Sequence, residues 1–200
     1  MRLPYLLSVR SADRQSESIV RNILIGGIGG VLLGDDGVGP YVARLLASRY
    51  EFEQGVEVAD LGTPALEIID ELSGREAVIL IDSVDTDAAP GTVLLYRKPD
   101  IMRHRPEVRM DPHSPALVDA LLSAELFGVA PPEVLLVGIS AEFFEPSCNL
   151  SELVKASLDQ VILEVLRELD RLGVVYRLKE HADELDIWWA TEEVEAPLAT

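Results

Sequence analysis

Residues 76–85, EAVILIDSVD, form a nearly unbroken apolar run that closes on acids. An alternating pattern would mark a strand with one wet face. An unbroken one marks a strand covered on both faces, the usual state of a strand inside a parallel sheet. Parallel neighbours need long crossovers, usually helices, and the rest of the chain supplies them. Strands are expected at residues 22–25, in VEVADLG, in GTVLLYR and in PEVLLVGIS. Between them lie helical stretches: GVGPYVARLLASRY, with Val38, Val42, Leu45 and Leu46 on one face; PALEIIDELSG, with Pro64 near its start and Gly74 at its end; and SPALVDALLSAELFG, with Ser114 as N-cap and Pro115 in the first turn. The longest is NLSELVKASLDQVILEVLRELDRLG, whose Val154, Leu158, Val161, Ile162, Val165 and Leu169 make one stripe. Strands alternating with helices predict an α/β fold with a largely parallel sheet. Residues 98–112, charged and holding three prolines, read as an irregular surface loop.

A glycine-rich loop, GGIGGVLLGDDGVG, follows the first strand. Such loops often cradle phosphate, but two templates fail here. From Gly27 a dinucleotide fingerprint would continue through Gly29 to a third glycine, and Leu32 stands there. As a phosphate loop, Gly29 and Gly34 fit, but Asp35 and Asp36 occupy the places of the lysine and the hydroxyl residue. Two carboxylates would repel the phosphate that a lysine attracts. The glycines then serve for positive φ and close chain approach. The plain reading of the aspartates is that one caps the next helix and the other is solvated.

Other residues bear on that reading. Asp82 ends its strand, and ligands of open α/β sheets bind at the carboxyl ends of strands. Asp82 and Asp36 are therefore candidates for one crevice, unless Asp82 merely forms a turn. Of three histidines, His113 in DPHSPAL precedes a helix as an active-site loop residue does, His104 lies among arginines, and His181 lies in the tail. Two carboxylates and an imidazole suit nickel, zinc or manganese, with open positions for water or substrate. Sequence spacing alone does not bring the three together.

At these residues the chain resembles the nickel-iron hydrogenase maturation endopeptidases. ILIGGIGGVLLGDDGVGPYVARLL is similar to the opening motif of that family. DLGTPALEIIDEL, VILIDSVDTDAAPGTVLLYR, DPHSPALVDALLSAELFGVAPPEVLLVGIS and FFEPSCNLSELVKASLDQVILEVL follow in family order. The resemblance covers about residues 22–172. It implies a three-layer α/β/α sandwich and an enzyme that removes a C-terminal extension from the hydrogenase large-subunit precursor after nickel insertion. By motif position it also implies Asp36, Asp82 and His113 as catalytic and metal-contacting residues, with nickel arriving on the precursor. Zinc or cadmium would be adventitious occupants. Two positions depart from the family: Gly30 stands where asparagine is usual, and Gly26 where an apolar residue is usual. The loss at Gly30 keeps open an alternative, a non-catalytic chaperone that checks nickel on the precursor without cutting.

Composition narrows the partners. The formal net charge of -18 leaves no cationic excess for nucleic acid or anionic lipid. No G-x-S-x-G elbow or H-E-x-x-H pair is present. The single Cys148 excludes an internal disulfide and reads as a small packing residue. No apolar run reaches the ~20 residues of a membrane helix. The chain reads as a cytoplasmic monomer: an N-terminal extension to residue 18, a protease domain over 19–172, and an acidic tail over 173–200. The tail, with its Trp188–Trp189 pair, is either disordered or a docking segment.

Overall fold

The computed structural model describes residues 21–64, 67–103, 114–185, 187 and 189. The elements run β1 (Ile23–Ile28), a 3-10 turn (Gly34–Gly37), α1 (Val38–Arg49), β2 (Tyr50–Phe52), β3 (Val56–Gly62), α2 (Ile68–Leu72) and β4 (Ala77–Val84). They continue with β5 (Val93–Arg97), α3 (Lys98–Arg103), α4 (Ser114–Leu126), β6 (Glu133–Ser140), α5 (Glu152–Leu172) and β7 (Tyr176–Leu178). The main sheet has the order β3-β1-β4-β6-β5. Its first four strands are parallel, and β5 closes the edge antiparallel to β6.

All eight residues of β4 are buried, as its unbroken apolar run requires. Its alternate residues feed two cores. Ala77, Ile79 and Ile81 pack with α1 and α5, including Val42, Leu46, Val161 and Val165. Val78 and Leu80 pack with α2 and α4, including Ile68, Leu72, Leu117 and Leu121. The result is the three-layer α/β/α sandwich. Each fully buried aliphatic side chain contributes about 1.5–3 kcal/mol, so the two cores commit β4 to the centre. Helix α5 starts where its sequence says it should. Ser151 is its N-cap and accepts from the Val154 amide at 3.2 Å, while Gly173 closes it in the left-handed conformation at φ 74°.

Two segments differ from the sequence reading. Residues 98–103, expected as loop, form α3, because Ile101 is buried against the α2–α4 core and Asp100 Oδ2 accepts from the Arg97 amide at 3.2 Å. Nor does the chain leave the domain after α5. Strand β7 pairs antiparallel with β2, and Tyr50, Phe52 and Tyr176 cluster there. Beyond it, the Lys179 amide donates to Arg49 O at 2.8 Å, Lys179 Nζ to Ala47 O at 2.8 Å and the Asp183 amide to Ser48 O at 3.0 Å. These donors satisfy carbonyls that the end of α1 leaves open. Trp189 is buried, with the Arg44 guanidinium 6.0 Å from its ring centre. No helix among the described residues is long and apolar enough to cross a membrane.

Candidate active site

The chain crosses from β1 through α1 to β3, then returns through α2 to β4 on the other side of β1. The strand order therefore reverses between β1 and β4. A crevice opens outside the carboxyl ends of two strands at such a switch point. The β1–β4 ladder ends at Gly27 and Ile81, so Asp82 is the first β4 residue beyond it. Asp36 lies in the 3-10 turn that follows β1.

Glycines bring that turn into place. A Cβ on Gly27 would lie 2.2 Å from Gly39 O, so α1 can press this closely on β1 only because both positions lack side chains. Gly29 has φ 130°, and a Cβ there would lie 1.8 Å from Asp36 O. A dinucleotide loop uses its third glycine for helix–strand approach; here Gly39, inside α1, provides it.

Neither loop aspartate is solvated, and neither caps α1, whose N-cap is Gly37 and has no side-chain cap bond. That corrects the plain sequence reading. Asp35 is fully buried and accepts from three backbone amides. Oδ2 takes those of Glu142 at 2.8 Å and Phe143 at 3.4 Å, and Oδ1 takes that of Ser151 at 2.6 Å. It ties the β1 loop to the β6–α5 loop and to the first turn of α5. Asp36, only 3% exposed, accepts at Oδ2 from the Gly30 amide at 2.6 Å and at Oδ1 from the Ser83 hydroxyl at 3.1 Å. Each of its oxygens keeps a second acceptor direction.

Ser83, the residue after Asp82 in β4, donates to Asp36, a role that sequence reasoning missed. Within β4 the odd residues face α1 and α5 and the even ones face α2 and α4. By the same alternation Ser83 is turned toward Asp36, while Asp82, 7% exposed, belongs to the α4 face. His113, the residue before α4, lies outside the described residues. Among the described residues no three of His, Cys, Asp and Glu gather to hold a metal ion.

Gly30 also has a definite place. Its backbone amide, not a side chain, orients Asp36. A Cβ on it would meet Asp36 Oδ2 at 3.1 Å, Thr63 Cγ2 at 3.5 Å and Leu33 Cδ1 at 3.6 Å. The missing side chain thus leaves a notch beside the carboxylate. Cys148, expected as a packing residue, is exposed, because the loop at 143–149 runs along the rim of the crevice rather than into a core.

Fold and site together define a switch-point α/β protein whose crevice presents carboxylates rather than a phosphate cradle. The hydrogenase maturation protease family profile matches residues 40–168, and the chain belongs to this family, whose members are endopeptidases. It is 36% identical over 155 residues to the hydrogenase expression/formation protein HoxM of Azotobacter vinelandii, covering 77% of this chain and 75% of that one. It is 31% identical over 153 residues to the hydrogenase 2 maturation protease of Escherichia coli K12, covering 76% and 93%. The solved structure of the hydrogenase maturating endopeptidase HybD from E. coli superposes with a TM-score of 0.75 at 30% identity, over 79% of this chain and 98% of that chain.

Proposed function

We propose that this endopeptidase removes the C-terminal extension of a nickel-iron hydrogenase large-subunit precursor, and that it acts on the nickel-loaded form. The observation that carries the reading is that two buried carboxylates, Asp36 and Asp82, stand at the reversal of strand order, with the hydroxyl of Ser83, the residue after Asp82, donating to Asp36. Oxygen donors of this kind suit a hard or borderline divalent ion. The nickel is cargo on the substrate, and Asp36, Asp82 and His113 are the groups that would engage it.

In this scheme the engaged nickel fixes the precursor so that its scissile bond lies in the crevice, and the gain is one of positioning. Water adds to the carbonyl carbon, the C–N bond breaks, and a carboxylate relays the water's proton to the leaving amine nitrogen. Asp36 is our choice for that relay. Its two hydrogen bonds hold the carboxylate without filling either oxygen. The alternative of a non-cutting chaperone drew on the loss of the asparagine side chain at position 30; the backbone amide there, which any residue but proline would supply, still supports Asp36.

The test incubates the protein with nickel-loaded and nickel-free precursor and weighs the products. A C-terminal peptide released only from the loaded form supports the reading. Equal release from both forms sinks the nickel check, and release from neither, with precursor bound, restores the chaperone. His113→Ala should abolish release while the circular dichroism stays native; full-rate release by that variant removes His113 from the site.

A further inference from the structure

Beyond β7 the tail keeps hold of the domain. Past the contacts of Lys179 and Asp183 with the last turn of α1, Leu185 packs against the α1–α5 core. Trp189 is then buried, at 5% exposure, with its ring centre 6.0 Å from the guanidinium of Arg44, one turn nearer the start of α1. The tail therefore climbs α1 toward the end of the sheet that holds the crevice. Arg44 extends the contact to β3, where its Nη2 donates to Asp60 Oδ2 at 3.3 Å, the two side chains being only 35% and 22% exposed. A guanidinium gives its planar face to a ring and its edge to a carboxylate, so the two contacts do not compete.

Asp60 braces an irregularity in the sheet. Gly27 of β1 is level with Asp60, but Ile28 is level with Gly62, so β3 carries one extra residue, Leu61. A bulge of this kind bends its strand and re-aims what lies beside it. The Leu61 side chain fills the space over Gly26, where a Cβ would lie 2.6 Å from Leu61 Cδ1. The second oxygen of Asp60, Oδ1, accepts from the Gly62 amide at 3.1 Å, and Gly62 takes φ 59°. Gly62 O in turn accepts from the Gly29 amide at 2.7 Å. Gly29 is the residue that lies against Asp36 O, and the next amide, that of Gly30, donates to Asp36 Oδ2 at 2.6 Å. An unbroken series of contacts thus runs from Trp189 to the Asp36 carboxylate.

We infer that Trp189, Arg44 and Asp60 are positioning residues for Asp36: the tail clamps the β3 bulge, and the bulge fixes the glycine turn that aims the carboxylate. This rests on the proposed role of Asp36 in cleavage. A catalytic group displaced by about 1 Å loses on the order of a hundredfold in rate, and a clamp that only steadies it is worth about tenfold of that. The loss falls on turnover, because the proton relay depends on Asp36 alone while the nickel keeps Asp82 and His113.

The experiment uses the full chain and reads two things: amide hydrogen exchange by nuclear magnetic resonance, without substrate, and processing of nickel-loaded precursor. The variants are Trp189→Ala and Arg44→Gln, which break the clamp from its two sides, and Trp189→Phe, which keeps an aromatic face over the guanidinium. In the first two, the Gly29 and Gly30 amides should exchange about tenfold faster relative to those of Leu80 and Val137 in the middle of the sheet. In the same variants kcat should fall about tenfold with KM within about threefold. Trp189→Phe should return both readings to within about twofold of wild type, and the double variant Arg44→Gln with Trp189→Ala should lose no more than the worse single one. The control is Glu168→Gln, which loosens α5 from β5 far from the clamp: it should lower Tm with native kcat and no excess exchange at Gly29 and Gly30. Exchange at Gly29 and Gly30 that rises no more than at Leu80 and Val137 overturns the clamp, because the tail then stabilises the whole domain and aims nothing. Native kcat in Trp189→Ala and Arg44→Gln overturns it too. If wild-type protein binds the precursor without cutting it, the cleavage reading fails on its own, and the amide exchange still decides the clamp.

Discussion

Replacing Asp35 by asparagine should cost the fold far more than the same change at its neighbour Asp36, although both are buried. The difference lies in their partners. Asp35 faces three backbone amides, and an amide N–H cannot accept a hydrogen bond. Asparagine has one oxygen. If that oxygen keeps Glu142 and Phe143, the new NH2 points at the Ser151 amide; if it keeps Ser151, the NH2 points at the other two. In the milder case one bond to a charged acceptor is lost, worth about 1.5–3 kcal/mol, and a buried donor is left facing another donor. A total of about 3 kcal/mol is expected, or about 6–12 °C in Tm for a domain of this size. Asp36 faces one amide, from Gly30, and one hydroxyl, from Ser83. A hydroxyl donates or accepts by rotating. In the Asp36→Asn variant the new side chain can take the Gly30 amide on its oxygen and give its NH2 to Ser83 Oγ. The stability change should therefore stay within about 1 kcal/mol, while precursor processing is lost with the carboxylate. Thermal unfolding of both variants, with mass-spectrometric processing assays, checks this. The reasoning fails if Asp35→Asn melts within about 2 °C of wild type or if Asp36→Asn is the less stable of the two.

Gly30→Ala places a methyl 3.1 Å from Asp36 Oδ2 on a backbone outside the left-handed region; Tm should hold within about 2 °C while kcat for precursor falls about tenfold, and native initial rates would show that Asp36 has room to move. At Glu168, burial pushes the carboxyl up, but hydrogen bonds from Arg171 and Arg97, reinforced by their charges, hold it down to about 2 from 4.5. The stability this network gives, joining α5 to the edge strand β5, is therefore full above about pH 4.5 and is lost as pH falls toward 2. Glu168→Gln should lose about 2 kcal/mol at pH 7, and denaturant titrations should show the gap to wild type closing across that acid window; a constant gap contradicts the assignment.

The acids at strand ends were legible because their position follows from the fold class alone: a doubly covered strand that closes on Asp82, and a loop ahead of a helix that holds Asp36. The partners of those acids were not. The amides on Asp35 lie at positions 142, 143 and 151, more than a hundred residues along the chain, and no local pattern reports a contact made across the sheet. Ser83 reads as an ordinary strand residue until the register puts it beside Asp36. The helix α3 was hidden by its proline and charges, because a single buried Ile101 decides its packing. Strand β7 was hidden for the converse reason: three residues that pair only with three others near position 50 carry no periodicity of their own.

The glycine-rich loop does bind an anion, and that anion belongs to the chain. In a phosphate loop the backbone amides of the glycines converge on the ligand, and the helix that follows adds its positive end. Here the Gly30 amide is spent on Asp36 Oδ2 at 2.6 Å, inside the turn that leads into α1. The carboxylate takes a place that a phosphate would contest, so the same backbone chemistry that makes a nucleotide site now holds out an acid. Holding Asp36 by the Gly30 amide and the Ser83 hydroxyl also leaves each oxygen an open side. An oxygen that already accepts one hydrogen bond from the rear can still turn its second lone pair outward, and what is drawn to it is a cation or the proton of a water. The carboxylate site is thus built on a glycine-rich turn by two side chains. It needs only Asp35 to anchor the loop from behind and Asp36 to occupy it, which is why the two adjacent acids, so alike in sequence, should respond so differently to the same substitution.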